Sequence, residues 1–192
     1  MPPKPKFTKD EVIAAALRIV SEKGADALTA QELKTALNSS ASPIFTLFRS
    51  MKEIMDGVCT AAMQRFERFR EDFHPEMPPF KRIGMRMVLF GQEEPKLYRL
   101  LFMQERPEGS TFDDLFGHLG SLTQECMQSL QSDYGLSAEK AKFVFENVWI
   151  YTFGIGTLCA TRVCRFSDAE LGQLLTTQFE AIMKLQRTEN LA

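Results

Sequence analysis

Two histidines, His74 and His118, and four cysteines, Cys59, Cys126, Cys159 and Cys164, are the side chains of this sequence best suited to metal binding, general acid–base work or nucleophilic attack. Their spacing supports none of these. His74 stands before Pro75 in a stretch that reads as loop. His118 has Asp114 and Leu122 at its i±4 positions, where a helical metal site needs His or Glu. Asp114 and His118 are spaced to touch on a helix, which reads as a surface hydrogen bond. No C-x-x-C pair occurs, so the cysteines read as reduced, mostly buried thiols, with a redox role for Cys159 or Cys164 as the lesser alternative. There is no G-x-S-x-G and no phosphate-binding loop, and Gly154-Ile155-Gly156 falls in a helical pattern, where it serves packing. The sequence therefore predicts no enzyme, no metal site and no cofactor.

What remains is the chemistry of contact. Between Thr29 and Lys52 the chain carries small hydroxyl side chains with little charge, a set suited to hydrogen bonding at a close surface. The composition behind them is that of a folded chain: 44% hydrophobic and 25% charged residues exclude a disordered one. Sixteen Phe and ten Met against three Tyr and one Trp describe a large, adaptable apolar interior. The net charge of -2 does not itself suggest nucleic acid. Residues 1–60 carry eight Lys/Arg against seven Asp/Glu and the remainder fifteen against eighteen, a small polarity of the right sign for a basic head. The arm Met1–Lys9 holds Lys4, Lys6 and Lys9 with no acid and reads equally as a flexible tail or as a groove-reaching arm. The start MPPKPKFTKDE has no apolar core of a secretory signal, and the apolar run Val148–Ala160, thirteen residues with two Thr, is too short to span a bilayer. A cytoplasmic protein without membrane contact is expected.

The elements that must hold the contact residues are helices. No alternating apolar run bounded by turn residues marks a strand. Four capping boxes, Thr8–Glu11, Thr29–Glu32, Ser50–Glu53 and Ser167–Glu170, mark helix starts, with Ser40, Ser110 and Ser137 as weaker caps. They divide the chain into about nine helices, near 9–23, 30–36, 41–48, 51–72, 80–92, 95–104, 111–132, 138–163 and 168–187. Gly24 closes the first, and Pro78-Pro79, Pro95 and the loop Arg106–Gly109 separate later ones. The fold class is all-α, with an N-terminal domain at 6–66 and a helical bundle at 67–192.

Residues 29–48, TAQELKTALNSSASPIFTLF, read as two short helices joined by a tight turn. Leu33, Leu37, Ile44 and Phe48 face inward, leaving Ser39, Ser40, Ala41, Ser42 and Thr46 outside. Small residues let the first turn of a recognition helix approach base edges, and Pro43 in that turn breaks no helical hydrogen bond. The stretch from Thr8 to about Ala61 resembles the DNA-binding domain of the tetracycline-repressor (TetR) family. The likeness rests on Gly24, Thr29, Ser40, Phe45, Phe48, Ser50, Lys52 and Glu53. It departs at Phe45, where the family usually has a phosphate-touching Tyr, at Asn38 in place of the turn Gly, at Lys34, and in one extra residue after Phe48. The resemblance implies double-stranded DNA, as a palindromic operator, for a partner. It places Thr29 and Lys52 at phosphate, Ser40, Ala41, Ser42, Pro43 and Thr46 at base edges, and Lys6, Gln31, Ser39 and Phe45 beside them.

The second part resembles a C-terminal domain type of that family named for a Trp-His-Gly signature. Gly84–Phe102 (GMRMVLFGQEEPKLYRLLF) and Trp149–Gly154 (WIYTFG) carry the likeness, with Phe153 in place of the signature His. The resemblance implies a small-molecule effector, with Phe66, Phe90, Phe102, Met103, Phe116, Met127, Trp149, Tyr151 and Phe153 as candidate lining. An apolar bundle core accounts for most of the same residues. A homodimer is expected through Gly156 and Ala160 on the eighth helix and the stripe Leu171, Leu175, Phe179 and Ile182 on the ninth; sealing of its own core is the alternative role of that stripe. The functional expectation is a ligand-released transcriptional repressor. A helical small-molecule-binding protein with weak or lost DNA binding is the alternative.

Overall fold

The computed structural model describes residues 7–70, 72, 74–105, 108–117 and 120–188, with 115–117, 187 and 188 as backbone only. Lys6, His118 and the side chain of Phe116 lie outside the described residues. Among the described residues ten α-helices follow one another: α1 Lys9–Lys23, α2 Ala30–Ala36, α3 Ser42–Leu47, α4 Met51–Arg68, α5 Pro79–Glu93, α6 Pro95–Phe102, α7 Phe112–Gly117, α8 Ser121–Ser132, α9 Ala138–Ala160 and α10 Asp168–Thr188. No strand occurs among the described residues.

Local chemistry explains most boundaries. Thr8 and Glu11 form a reciprocal capping box before α1: the Glu11 N–H donates to Thr8 Oγ1 (3.2 Å) and the Thr8 N–H to Glu11 Oε2 (2.8 Å). Ser167 and Glu170 form another before α10 (3.3 and 2.8 Å). Gly24 takes φ 97° after α1, a conformation that a side chain disfavours. The single helix expected over 111–132 is two. Gly120 at φ 50° interrupts it, and a box between Thr111 and Asp114 starts α7, so the cap is Thr111 and not Ser110. Asp114 Oδ2 accepts from both the Thr111 N–H and the Thr111 hydroxyl, each at 2.7 Å.

Two compact units result. The first takes in the residues up to Phe69 together with Glu94–Gln104. Here α4 packs on α1, and α6 packs on both. Leu97 and Tyr98 on α6 are wholly buried, and Phe102 meets Phe66 edge-on at 5.2 Å and Tyr98 at 5.0 Å. Arg65 pairs with Glu94, and Lys96 reaches the Glu22 carbonyl, so the start of α6 also carries polar contacts to α4 and α1.

The second unit comprises Arg70–Glu93 and the residues from Glu105 onward. Helix α5 lies at its centre, flanked by α8, α9 and α10, and is buried from Met85 to Gly91 without a break. The Gln92 amide clamps the α9–α10 connection: its Nε2 donates to the Phe166 carbonyl (3.1 Å), and its Oε1 accepts from the Phe166 N–H (3.0 Å) and from the Cys159 thiol (3.8 Å). Arg70 pairs with both Glu93 and Asp168. Helix α9 begins at Ala138, well before the apolar run that starts at Val148. By length and composition it is long and apolar enough to cross a membrane, and half of that stretch is buried within the unit. All four cysteines are free thiols. Burial pushes the thiols of Cys59, Cys126 and Cys159 up from their ordinary value, which keeps them protonated.

Candidate nucleic-acid interface

The short helices α2 and α3 are held from beneath by Leu33, Ile44 and Phe48, all buried. Thr29 caps α2, its Oγ1 accepting from the Glu32 N–H at 3.1 Å. The turn is closed by backbone bonds from Asn38 to Thr35 (3.1 Å) and from Ser39 to Lys34 (3.0 Å), with Asn38 at φ 46° where a turn glycine would sit. Helix α3 starts at Ser42 with Pro43 in its first turn, where no helical bond is lost. Its N-cap is Ala41, already in helical conformation and making no side-chain cap bond, so Ser40 is exposed and does not cap. Ser42, Phe45 and Thr46 then share the outer face at i, i+3 and i+4, all exposed. The Thr46 hydroxyl donates back to the Ser42 carbonyl at 2.9 Å, leaving its oxygen as an acceptor.

Ser50 caps α4, accepting from the Glu53 N–H at 3.2 Å. The return arm differs from the expected box. Glu53 Oε2 accepts from the N–H of Arg49 at 2.7 Å, and Glu53 Oε1 accepts from Lys9 Nζ at 3.1 Å. The Arg49 N–H and the Lys9 ammonium hold this carboxyl below its ordinary pKa. Lys9 Nζ also stands 5.0 Å from the Phe48 ring centre. Lys52, 84% exposed, meets Asp56 at 3.1 Å across one helical turn. Phe45, Thr46, Arg49, Lys52 and Lys9 border an open groove of about 560 Å³.

The structure thus gathers Phe45, Thr46 and Lys52 around one concavity, with Ser42 on the same face of α3. Thr29 is exposed at the start of α2. Gln31 is exposed on the same helix, its Oε1 accepting from Lys34 Nζ at 2.9 Å. Ser39, Ala41 and Pro43 are half-buried. Sequence reasoning missed Arg49. A second basic residue close to Lys52 and the short helix was the available sign.

No family model matches the chain, and no curated protein does. Solved structures do. A putative TetR-family transcriptional regulator from Mesorhizobium loti MAFF303099 is 17% identical with a TM-score of 0.61, covering 92% of this chain and 95% of that one. A TetR-family member from Streptomyces coelicolor A3 is 14% identical with a TM-score of 0.59, covering 92% and 98%. A TetR variant from Acinetobacter baumannii AYE in complex with minocycline is 20% identical with a TM-score of 0.51, covering 93% and 94%. The chain has the TetR-family fold.

Within this TetR-type fold the ligand candidates are dispersed. Phe66 and Phe102 belong to the aromatic cluster of the first unit, with Met103 half-buried at the end of α6. In the second unit Phe90 is wholly buried, Trp149 is buried 5.7 Å from Phe145, and Met127, Tyr151 and Phe153 are half-buried. A small apolar cavity of about 50 Å³ lies between α5, α9 and α10, bounded by Phe80, Met85, Val148, Thr152, Leu175 and Phe179. A shallow hollow of about 300 Å³ lies against Tyr134, Phe179 and Met183. None of the eight ligand candidates whose side chains are described borders either, because large side chains at the centre of a bundle fill space and do not enclose it.

The dimer candidates behave likewise. Gly156, Ala160, Leu171, Phe179 and Ile182 are buried in their own unit, and Leu175 is half-buried against the small cavity. The stripe seals its own core. The surface left outward is a different one: Phe143, Ile150 and Leu158 along α9 and Leu185 on α10 are exposed apolar side chains, Ile150 at 57% and Leu185 at 55%.

Proposed function

We propose that this chain is a DNA-binding transcriptional regulator of the TetR type, a repressor released from a palindromic operator by a small, mostly apolar molecule. One observation carries the reading. Ile44 and Phe48 anchor α3 from within while Ser42, Phe45 and Thr46 stand outward beside Lys52, the arrangement of a helix that enters a major groove with a cation at the flanking phosphate. Thr29 and Lys52 meet phosphate, and Ser40, Ala41, Ser42, Pro43 and Thr46 meet base edges.

Reading a palindrome requires a symmetric pair, with recognition helices about 34–36 Å apart. The exposed apolar faces of α9 and α10 form the pairing surface in this account, as half of a four-helix bundle. The effector enters the second unit. The small cavity between α5, α9 and α10 is far below the ~300–1,000 Å³ of ordinary ligand sites, so binding there opens it, with Met77 and Met85 in its wall as the adaptable side chains. The effector then acts by binding the DNA-incompetent arrangement more tightly.

The exposed pair Lys52–Asp56 contributes little to the free protein, so a phosphate displaces Asp56 readily. Lys52→Glu is expected to weaken binding uniformly across duplex sequences and to lower the salt slope by about 1 per protomer. Fluorescence anisotropy across a salt series measures both; unchanged affinity and slope would remove Lys52 from the site. A second reading, a helical small-molecule-binding protein without DNA affinity, draws on the same ion pairs: Lys9 and Lys52 already have acidic partners. Absence of any duplex binding at low salt would favour it.

A further inference from the structure

We propose that the recognition surface reads thymine 5-methyl groups, so that operator discrimination by α3 rests on apolar contact and not on amide or guanidinium pairing. The proposal rests on the DNA-binding reading above and specifies what that surface recognises. From Ser39 to Phe48 the chain offers only Ser, Ala, Pro, Ile, Phe, Thr and Leu. Guanine is read bidentately by Arg or Lys, adenine by Asn or Gln, and the cytosine amino group by Asp or Glu. None of these occurs in the stretch. Serine hydroxyls bond to donors and acceptors alike and so discriminate weakly.

The side chains that do reach outward are apolar or nearly so. Phe45 is 41% exposed and, among the described residues of the first unit, is the one large apolar side chain so exposed. It projects from a face made otherwise of Ser42 and Thr46. Thr46 donates its hydroxyl hydrogen bond to the Ser42 carbonyl, which leaves its methyl group and an acceptor for the DNA. In the major groove the complementary apolar group is the thymine methyl. Of the neighbouring polar groups, Arg49, Lys52 and Lys9 share the groove with Phe45 and Thr46 but stand around the start of α4, where the DNA-binding reading puts phosphate, and the Gln31 amide oxygen is engaged by Lys34.

The test uses the full chain. Operators are selected from a randomised duplex pool and each thymine of the winning half-site is replaced in turn by deoxyuridine, which removes only the methyl. At least one replacement is expected to lower affinity about fourfold, the effect of one buried methyl-sized group. Replacing guanine by 7-deazaguanine should leave affinity unchanged. The Phe45→Ala variant, at an exposed position, should bind the thymine and uracil duplexes equally. Uracil duplexes bound as tightly as thymine duplexes by the unmodified chain would overturn the proposal, as would a half-site whose guanine N7 atoms matter more than its methyl groups. Both results leave DNA binding intact; a pool from which no duplex is enriched would instead remove the DNA-binding reading, and this inference with it. The deoxyuridine and 7-deazaguanine arms change only the DNA, so their outcome does not depend on whether the Phe45→Ala variant folds.

Discussion

The two units expose apolar surface in contrasting ways. Among its described residues the first shows one large exposed apolar side chain, Phe45, on a six-residue helix otherwise presenting hydroxyls. The second exposes Phe112, Phe143, Ile150, Leu158, Val163 and Leu185, three of them along α9. In the proposed roles the contrast has a physical basis. A reader of DNA takes its affinity from phosphate contacts and needs only a small, shaped face. A protein–protein surface draws on apolar area and needs a broad one.

The largest effect expected concerns the foundation of the first unit. Phe66→Ala would leave a cavity beneath Phe102 and cost about 3–5 kcal/mol, read as a lowered denaturant midpoint. A loss under 1 kcal/mol would mean that α6 does not brace this unit. Next, Ile150→Glu combined with Leu158→Glu should convert a dimer to a monomer in light scattering and weaken operator binding by about a hundredfold through lost bivalency. A double variant that still pairs would show that the apolar face of α9 has another purpose. Smaller again, Ser50→Ala should cost about 1 kcal/mol by removing the cap on α4, measured by thermal unfolding against Leu185→Ala, an exposed position expected to stay within about 0.5 kcal/mol. The smallest is a pH effect. Glu53 and Glu170 have carboxyls held below their ordinary pKa by the Arg49 and Ser167 N–H groups. Their stabilisation is complete above the unfolded value of 4.5 and fades as pH falls through their lower folded values. Replacing either by Gln should therefore flatten the acid limb of the stability curve.

The helical architecture was legible because its signals are local. Thr8–Glu11, Ser167–Glu170 and Gly24 each act within a single turn, so their spacing in sequence is their spacing in space. The outward face of α3 was legible for the same reason: Ile44 and Phe48 fix its orientation. Features that depend on distant partners were less so. Glu53 turned to Arg49 and Lys9, a choice set by where α1 ends up. Phe66 and Phe102, far apart in sequence, joined in the first unit, and a boundary near residue 66 did not anticipate that α6 would pack there. The stripe Leu171–Ile182 has helical periodicity whether it faces its own core or a partner, and periodicity alone cannot choose. Exposure decided it, turning Leu171 inward and leaving Ile150 and Leu185 outside.

The most direct test of the central claim, that α3 enters a major groove, is photo-crosslinking of the full chain to a selected duplex carrying 5-iododeoxyuridine in place of thymine. The iodine then stands where the 5-methyl group projects into the groove. Mass spectrometry of the adducts should place the crosslink within residues 39–48, foremost at Phe45. Adducts confined to α9 or α10, or none above a scrambled duplex, would contradict it.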